Sequence, residues 1–354
     1  MCNYDSILIV GTYTCNSASE GIYVYMLDSK TMQIELNYIA RQANDLSSFQ
    51  YLSDRKLLVV ANEDQQSPYF SSFYVDTVQG KLDFISKINL PGAGTCDLSV
   101  SPDGKWVFGA NYHSGSLVWA EMKEDGTFVG SARTILYHDT SVNPERQTQS
   151  YLHGTAFAAD KLHAMNLGGD CIYRYNLDVE DGQLTPCEKQ SIIWTEKGEG
   201  PRHMLVHPNG KWVYLLTEMG SNLIQYEIQG DGTLRELSKA CMLPDRCEID
   251  CRSSVLRLSP DGTCMFAAVR DYDALVKFVI DSETGTLSDR QFYPTHGEHP
   301  RSFEFTLDGR FVMICNQFTN TLTICKFNPE TNEVGEVVKH LEVPGCSFLQ
   351  MIER

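Results

Sequence analysis

His207-Pro-Asn-Gly-Lys-Trp-Val-Tyr-Leu-Leu-Thr-Glu218 is one copy of a cassette that recurs along the chain at a spacing of about fifty residues. Three other clear copies are Ser101-Pro-Asp-Gly-Lys-Trp-Val-Phe-Gly-Ala-Asn111, Ser259-Pro-Asp-Gly-Thr-Cys-Met-Phe-Ala-Ala-Val-Arg270 and Thr306-Leu-Asp-Gly-Arg-Phe-Val-Met-Ile-Cys-Asn316. Degenerate copies occupy residues 53–62 and 159–166. Each is followed by an alternating apolar run and a second turn, as in Asn222-Leu-Ile-Gln-Tyr-Glu-Ile-Gln-Gly-Asp-Gly-Thr-Leu234. Asp-Gly and Asn-Gly supply the positive φ that tight hairpins need, and the runs between them are rich in Val, Ile, Leu, Phe, Tyr and Trp, as pleated, buried strands require. Helical periodicity is essentially absent. A period of this length built from short strands and turns predicts an all-β, seven-bladed β-propeller with four antiparallel strands per blade.

The two ends complete the ring. Pro344-Gly-Cys-Ser-Phe-Leu-Gln-Met351 reads as the first strand of a blade, Ser6-Ile-Leu-Ile-Val-Gly-Thr-Tyr13 as a second and Gly21-Ile-Tyr-Val-Tyr-Met-Leu27 as a third. One blade is therefore expected to combine both termini, which removes the exposed sheet edge of an open ring. Residues 1–354 are read as one domain, because the repeat spans nearly the whole length.

The formal charge of −17 offers nucleic acid or anionic membrane no basic surface. The start of the chain lacks a basic, apolar leader, and no run of eighteen apolar residues occurs, so a cytoplasmic protein without membrane contact is expected. Cys171, Cys264, Cys315 and Cys325 fall within strand patterns and read as small core residues. Cys241, Cys247 and Cys251 cluster, but their spacing fits no zinc template. No G-x-S-x-G elbow and no H-E-x-x-H motif is present. Neither metal nor cofactor is expected.

In a propeller the first strand of each blade lines the central channel and the second runs back beside it, so residues equidistant from the turn share a height. Reflection about Asn209-Gly210 places Glu218 beside Pro201 and Arg202. The same operation sets Arg301 opposite Asn316, Arg270 opposite Ser253, His153 opposite Asn166 and Asn111 opposite Cys96. One rim is thus expected to collect His153, Arg202, His203, Glu218, Arg270, Arg301, Asn111, Asn166 and Gln317. Such a rim opposes the charge of the whole chain and suits an anion, since a guanidinium fork makes paired hydrogen bonds to carboxylate or phosphate. His153 and Glu218 offer proton transfer. Arginine also stabilises negative charge developing on a carbonyl oxygen. The plainer reading of Arg202 with Glu218 is an ion pair between blades. His207, beside its turn, reads as structural.

Several motifs resemble the lactonase family of seven-bladed propellers, which includes bacterial 6-phosphogluconolactonase and the fungal carboxy-cis,cis-muconate cyclizing enzyme. They are Gly11-Thr-Tyr-Thr with Gly21-Ile-Tyr-Val-Tyr, Gly200-Pro-Arg-His203 with His207-Pro-Asn-Gly-Lys211, and Pro300-Arg301 with Asn316-Gln317. The resemblance covers essentially the full chain and implies catalytic roles for His153, Arg202, Glu218 and Arg270. It implies hydrolysis of a small anionic sugar lactone, such as 6-phosphogluconolactone to 6-phosphogluconate. Arg202 and Arg270 would hold phosphate or oxyanion, and His153 or Glu218 would activate water. His203, Arg301, Asn111, Asn166 and Gln317 are the expected substrate contacts. A muconate-type cycloisomerase, or a non-catalytic propeller binding a protein or small molecule, are the alternatives, and oligomeric state is left open. The chain departs from the family where Tyr151 replaces a histidine, where Asn166-Leu-Gly-Gly-Asp170 replaces Asp-Leu-Gly-x-Asp, and where Thr217 replaces the usual Asn.

Overall fold

Residues 4–247 and 249–354 are described by a computed structural model in which the strands form seven antiparallel sheets. Blade 1 joins the C-terminal strand Cys346–Glu353 to Ser6–Thr12, Ile22–Asp28 and Gln33–Ala40. The innermost strands of blades 2 to 7 are Leu46–Leu52, Thr95–Val100, Leu152–Ala158, Pro201–Val206, Ser253–Leu258 and Pro300–Phe305. Each of the seven touches the next, and Cys346–Glu353 touches both Pro300–Phe305 and Leu46–Leu52, so the ring closes. No helix long and apolar enough to cross a membrane is found among the described residues.

The turns behave as their sequences require. Asp103 accepts from Ser101 Oγ at 2.5 Å and from the Lys105 amide at 3.1 Å, while Gly104 takes φ 73°. That geometry lies in the left-handed region open to glycine. Asp261 repeats the contacts with Ser259 and Thr263. Blade 4 departs from the pattern, since its outermost strand is broken into Leu184–Pro186 and Ile192–Trp194, both pairing with Cys171–Leu177. Buried Arg174 reaches into the break, donating to His163 Nε2 and to Gln190 O, each at 3.0 Å.

Apolar faces of the blades pack against one another, giving seven clusters, one at each junction. Trp212, Tyr214, Leu216, Met265, Val276 and Phe278 join blades 5 and 6, for example. The junction between blades 1 and 7 contains Leu8, Val10, Met313, Ile324, Leu349 and Met351. Cys171, Cys264, Cys315 and Cys325 are buried, and the described cysteines are free.

Closure therefore rests on one terminal strand. Cys346–Glu353 pairs in register with Ser6–Thr12 and buries Cys346, Leu349, Met351 and Ile352. At roughly 1.5–3 kcal/mol for each large apolar side chain, that burial is comparable with the whole stability of a typical domain, about 5–15 kcal/mol. A chain ending at Val343 is expected to lose cooperative thermal unfolding by circular dichroism. An unchanged melting temperature would show that the terminal strand does not hold the ring.

Candidate functional site

Every innermost strand carries a β-bulge near the same end. Pairing passes from Pro201↔Thr217 directly to His203↔Leu216, leaving Arg202 without a partner. The residues skipped in the same way are Ser47, Cys96, His153, Arg301 and Ser347, and in blade 6 the pair Ser254 and Val255. A bulge inserts a residue and re-aims a side chain. The bulged residues form a belt that staples each blade to the next. Ser347 Oγ donates to Leu46 O, Ser47 Oγ to Thr95 O at 3.0 Å and Cys96 Sγ to Leu152 O at 3.7 Å. Arg202 Nε donates to Ser254 O and Ser254 Oγ to Pro300 O, both at 2.7 Å.

The bulge also corrects the expected pairings by one residue. Thr217, not Glu218, faces Pro201; Asn316 faces Pro300, Val269 faces Ser253, Asn166 faces Leu152 and Asn111 faces Thr95. Beyond these pairs each second strand continues by one residue, whose amide donates back to the connection before the innermost strand. Glu218 N bonds Gly200 O at 2.8 Å, Arg270 N bonds Arg252 O at 2.9 Å, and Tyr13, Glu63, Tyr112, Leu167 and Gln317 repeat the contact. These seven positions stand immediately outside the belt.

Glu218 is the centre of the resulting cluster. Its Oε2 lies 2.7 Å from Arg202 Nη1, 2.9 Å from Arg270 Nη2 and 3.2 Å from His153 Nε2. Its Oε1 lies 2.5 Å from Arg146 Nη2. Arg270 is held from behind by Ser253 O at 3.1 Å. Arg301 donates to Tyr13 Oη at 2.9 Å, and that hydroxyl donates to Glu63 at 2.7 Å. Gly154, next to His153, leaves room for a neighbouring blade, since a Cβ there would lie 2.3 Å from Arg202 O.

Burial alone would raise the Glu218 carboxyl, but Arg270 and Arg202, with His153, outweigh it and hold it well below the usual range. Burial, reinforced by Arg202, pushes His153 down to about 3, so the imidazole is neutral. Burial brings Arg270 down to about 9, with Glu218 opposing, and the guanidinium stays charged at neutral pH. The cluster is thus an ionised carboxylate among cations with a neutral histidine beside it.

The structure brings His153, Arg202, Glu218 and Arg270 into direct contact, with Arg301 in the same belt. His203 stands one residue further along, its ring 5.7 Å from that of His153, and lines a cavity on the other side of the belt. Gln317 lines a rim recess with Tyr13 and Phe318. Asn111 and Asn166 are not on the channel surface. Both are fully buried, Asn111 donating to Pro91 O and Ser116 Oγ, Asn166 donating to Asp139 and Ser150 and accepting from the Tyr151 amide. They tie strands to connections within their blades, as Asn62 and Asn316 do. His207 bonds Gly262 O near the far turn. Sequence reasoning missed Arg146, Tyr112, Tyr13 and Glu63. Aligning the residue after each strand-ending Asn or Thr would have found the last three, whereas Arg146 lies outside the repeat. No group of three or more His, Cys, Asp or Glu among the described residues is placed to hold a metal ion.

The family described as lactonase, 7-bladed beta-propeller, matches residues 7–351. The chain belongs to that family and is an enzyme of the lactonase class. It is 27% identical to the 6-phosphogluconolactonase of Formosa agariphila over 350 residues, 97% of this chain and 99% of the relative. It is also 27% identical to the 6-phosphogluconolactonase of Bacillus subtilis, over 95% of each chain. The periplasmic gluconolactonase of Pseudomonas aeruginosa superposes with a TM-score of 0.93 at 27% identity, covering 98% of this chain and 99% of that one.

The cavity beyond the belt, about 220 Å³, is lined by His203, Asp97, Thr155, Ser48, Arg257 and Phe348 among others. Burial pushes the Asp97 carboxyl from 3.8 up to about 6, against hydrogen bonds from the Thr155 amide and Ser48 hydroxyl. A raised carboxyl pKa favours the fold fully below pH 3.8, and that contribution is lost as pH rises through about 6. Asp97→Asn is therefore expected to raise stability at pH 8 by up to roughly 2–3 kcal/mol, at about 1.4 kcal/mol per unit. The gain should vanish near pH 4. Denaturant titrations at the two pH values check this, and an equal effect at both would exclude a cost of ionising Asp97.

Proposed function

We propose that this protein hydrolyses the internal ester of a sugar lactone, with a phosphorylated aldonolactone such as 6-phosphogluconolactone as the substrate class. The carrying observation is the asymmetry of Glu218. Oε2 is locked by Arg202, Arg270 and His153, whereas Oε1 meets Arg146, the most exposed of these partners. The names of the full-length relatives support the same reading.

A water at Oε1 gives its proton to Glu218 as its oxygen attacks the lactone carbonyl carbon. Negative charge develops on the carbonyl oxygen beside fixed guanidinium groups, which is where preorganised cations lower a barrier most. The acyl–oxygen bond then breaks, the ring oxygen takes the proton back from Glu218, and the product is an open-chain hydroxy acid. A carboxylate held below its usual pKa is a weak base but a ready donor in the second step. Such a base suits an ester that already opens slowly in water. His153 fixes the carboxylate orientation and stays neutral.

Glu218→Gln and Arg202→Ala are each expected to lower kcat/KM for lactone hydrolysis by about a hundredfold or more, the range found for one acid–base or electrostatic group. Unchanged values in both variants would remove this site from consideration. Because Glu218 stays ionised below the usual carboxylate range, kcat/KM for an unphosphorylated lactone should remain level from pH 8 to about pH 5. An acid limb centred between pH 6 and 7 would assign the base to another group.

A further inference from the structure

Arg146 is carried by the longest connection between blades, residues 137–151, which runs from the outermost strand of blade 3 to the innermost strand of blade 4. The backbone beneath it is fixed. Asn143 Oδ1 accepts from the Glu145 and Arg146 amides at 3.0 and 2.9 Å, and the buried Gln147 side chain donates to Leu167 O at 2.9 Å. The side chain is less constrained, being 31% exposed against 2% for Arg202 and 9% for Arg270. Among the described residues its side-chain hydrogen bonds run through Nη2, to Glu218 Oε1 and to Tyr112 Oη at 3.2 Å. Arg202 and Arg270 each also bond a backbone carbonyl, so of the three arginines on Glu218 it is Arg146 whose side chain is least tied to the backbone.

The charges point the same way. Arg146, Arg202, Arg270 and Arg301 surround two carboxylates, Glu218 and Glu63, leaving a net positive site inside an acidic protein. Glu218 holds the Arg146 guanidinium more firmly protonated against burial, so by reciprocity Arg146 holds Glu218 ionised and its Oε1 occupied.

We propose that Arg146 is the anion-recognition residue of the mouth: it releases Glu218 Oε1 to pair with the phosphoryl group of the substrate, so that binding an anionic lactone frees the base. The proposal rests on the lactonase reading given above and extends it to selection of phosphorylated over unphosphorylated rings. A guanidinium fork matches phosphoryl oxygens with paired hydrogen bonds, while lysine offers only a point charge. Withdrawal of Arg146 also removes one of the cations that depress Glu218, making the carboxylate a better base when the correct anion is present.

The test measures 6-phosphoglucono-δ-lactone and glucono-δ-lactone hydrolysis for the wild type, Arg146→Ala and Arg146→Lys, together with calorimetric titration by inorganic phosphate. Arg146→Ala should lower the ratio of kcat/KM for the phosphorylated over the unphosphorylated lactone by about 30-fold, the scale of a charged hydrogen bond. Arg146→Lys should recover part of it, and phosphate should bind the wild type more tightly than Arg146→Ala. Equal losses on both lactones, or phosphate binding that Arg146→Ala leaves intact, would overturn the proposal. If the wild type opened neither lactone the hydrolase reading would fall, while the phosphate titration would still decide whether Arg146 receives an anion.

Discussion

One extra residue in each innermost strand governs the interior of this propeller. Seven strands converging on a channel would otherwise present the same alternation of side chains, and their hydroxyls, carbonyls and thiols would meet across a narrow space. The bulge turns a side chain sideways, toward the carbonyl that precedes the next blade's bulge, as Ser347, Ser47, Cys96 and Ser254 show, while Arg202 reaches the bulge carbonyl of Ser254 itself. A single device thus joins blades and aims functional groups. Four belt positions carry small residues, Ser47, Cys96, Ser254 and Ser347, which leaves space for His153, Arg202 and Arg301.

Burying Glu218 among arginines has a consequence for stability as well as chemistry. Removing an ion pair from water costs several kcal/mol per charge, and the mutual attraction often does no more than offset it. Apolar packing at the same positions would serve the fold as well, since seven interblade clusters already supply its cohesion. On the hydrolysis proposed above, the cluster supplies fixed charges for a reaction that builds negative charge on oxygen. Arg202 illustrates the arrangement, being fully buried with Nε on a backbone carbonyl and Nη1 on Glu218. Its position is determined before any substrate arrives.

How far this was legible in the sequence depended on whether a feature belonged to the repeat. Turn chemistry at Asp103-Gly104 and its counterparts led directly to the blades, and the strand-like ends led to the closing of blade 1. Reflection about each turn gathered His153, Arg202, Glu218 and Arg270 correctly into one region, yet paired them one residue out, because a bulge leaves no mark in the apolar alternation. The same slip drew Asn111 and Asn166 onto the channel, although their side chains bind the backbone and neighbouring polar groups inside their blades. Arg146 was invisible for a different reason. It stands in a connection with no counterpart in the other blades, and only the folded path of residues 137–151 brings it to a carboxylate 72 positions further on.

Two of the three departures from the family pattern, Asn166 and Tyr151, separate on the same grounds. Asn166 in place of an aspartate lies within blade 4, where Asp139 receives its amide at 3.0 Å and also the Tyr173 hydroxyl at 2.5 Å. The change falls in a fully buried polar network and not on the channel surface. Tyr151 in place of a histidine is different. Its ring lies 4.8 Å from that of Tyr112, which in turn stands 5.2 Å from His153 and accepts a hydrogen bond from Arg146. Exchanging an imidazole for a phenol tilted against Tyr112 therefore alters the wall against which Arg146 rests. On the reading proposed above, variation in substrate choice falls at the mouth, where one partly exposed guanidinium borders an aromatic pair, while the carboxylate and its two buried arginines lie below it.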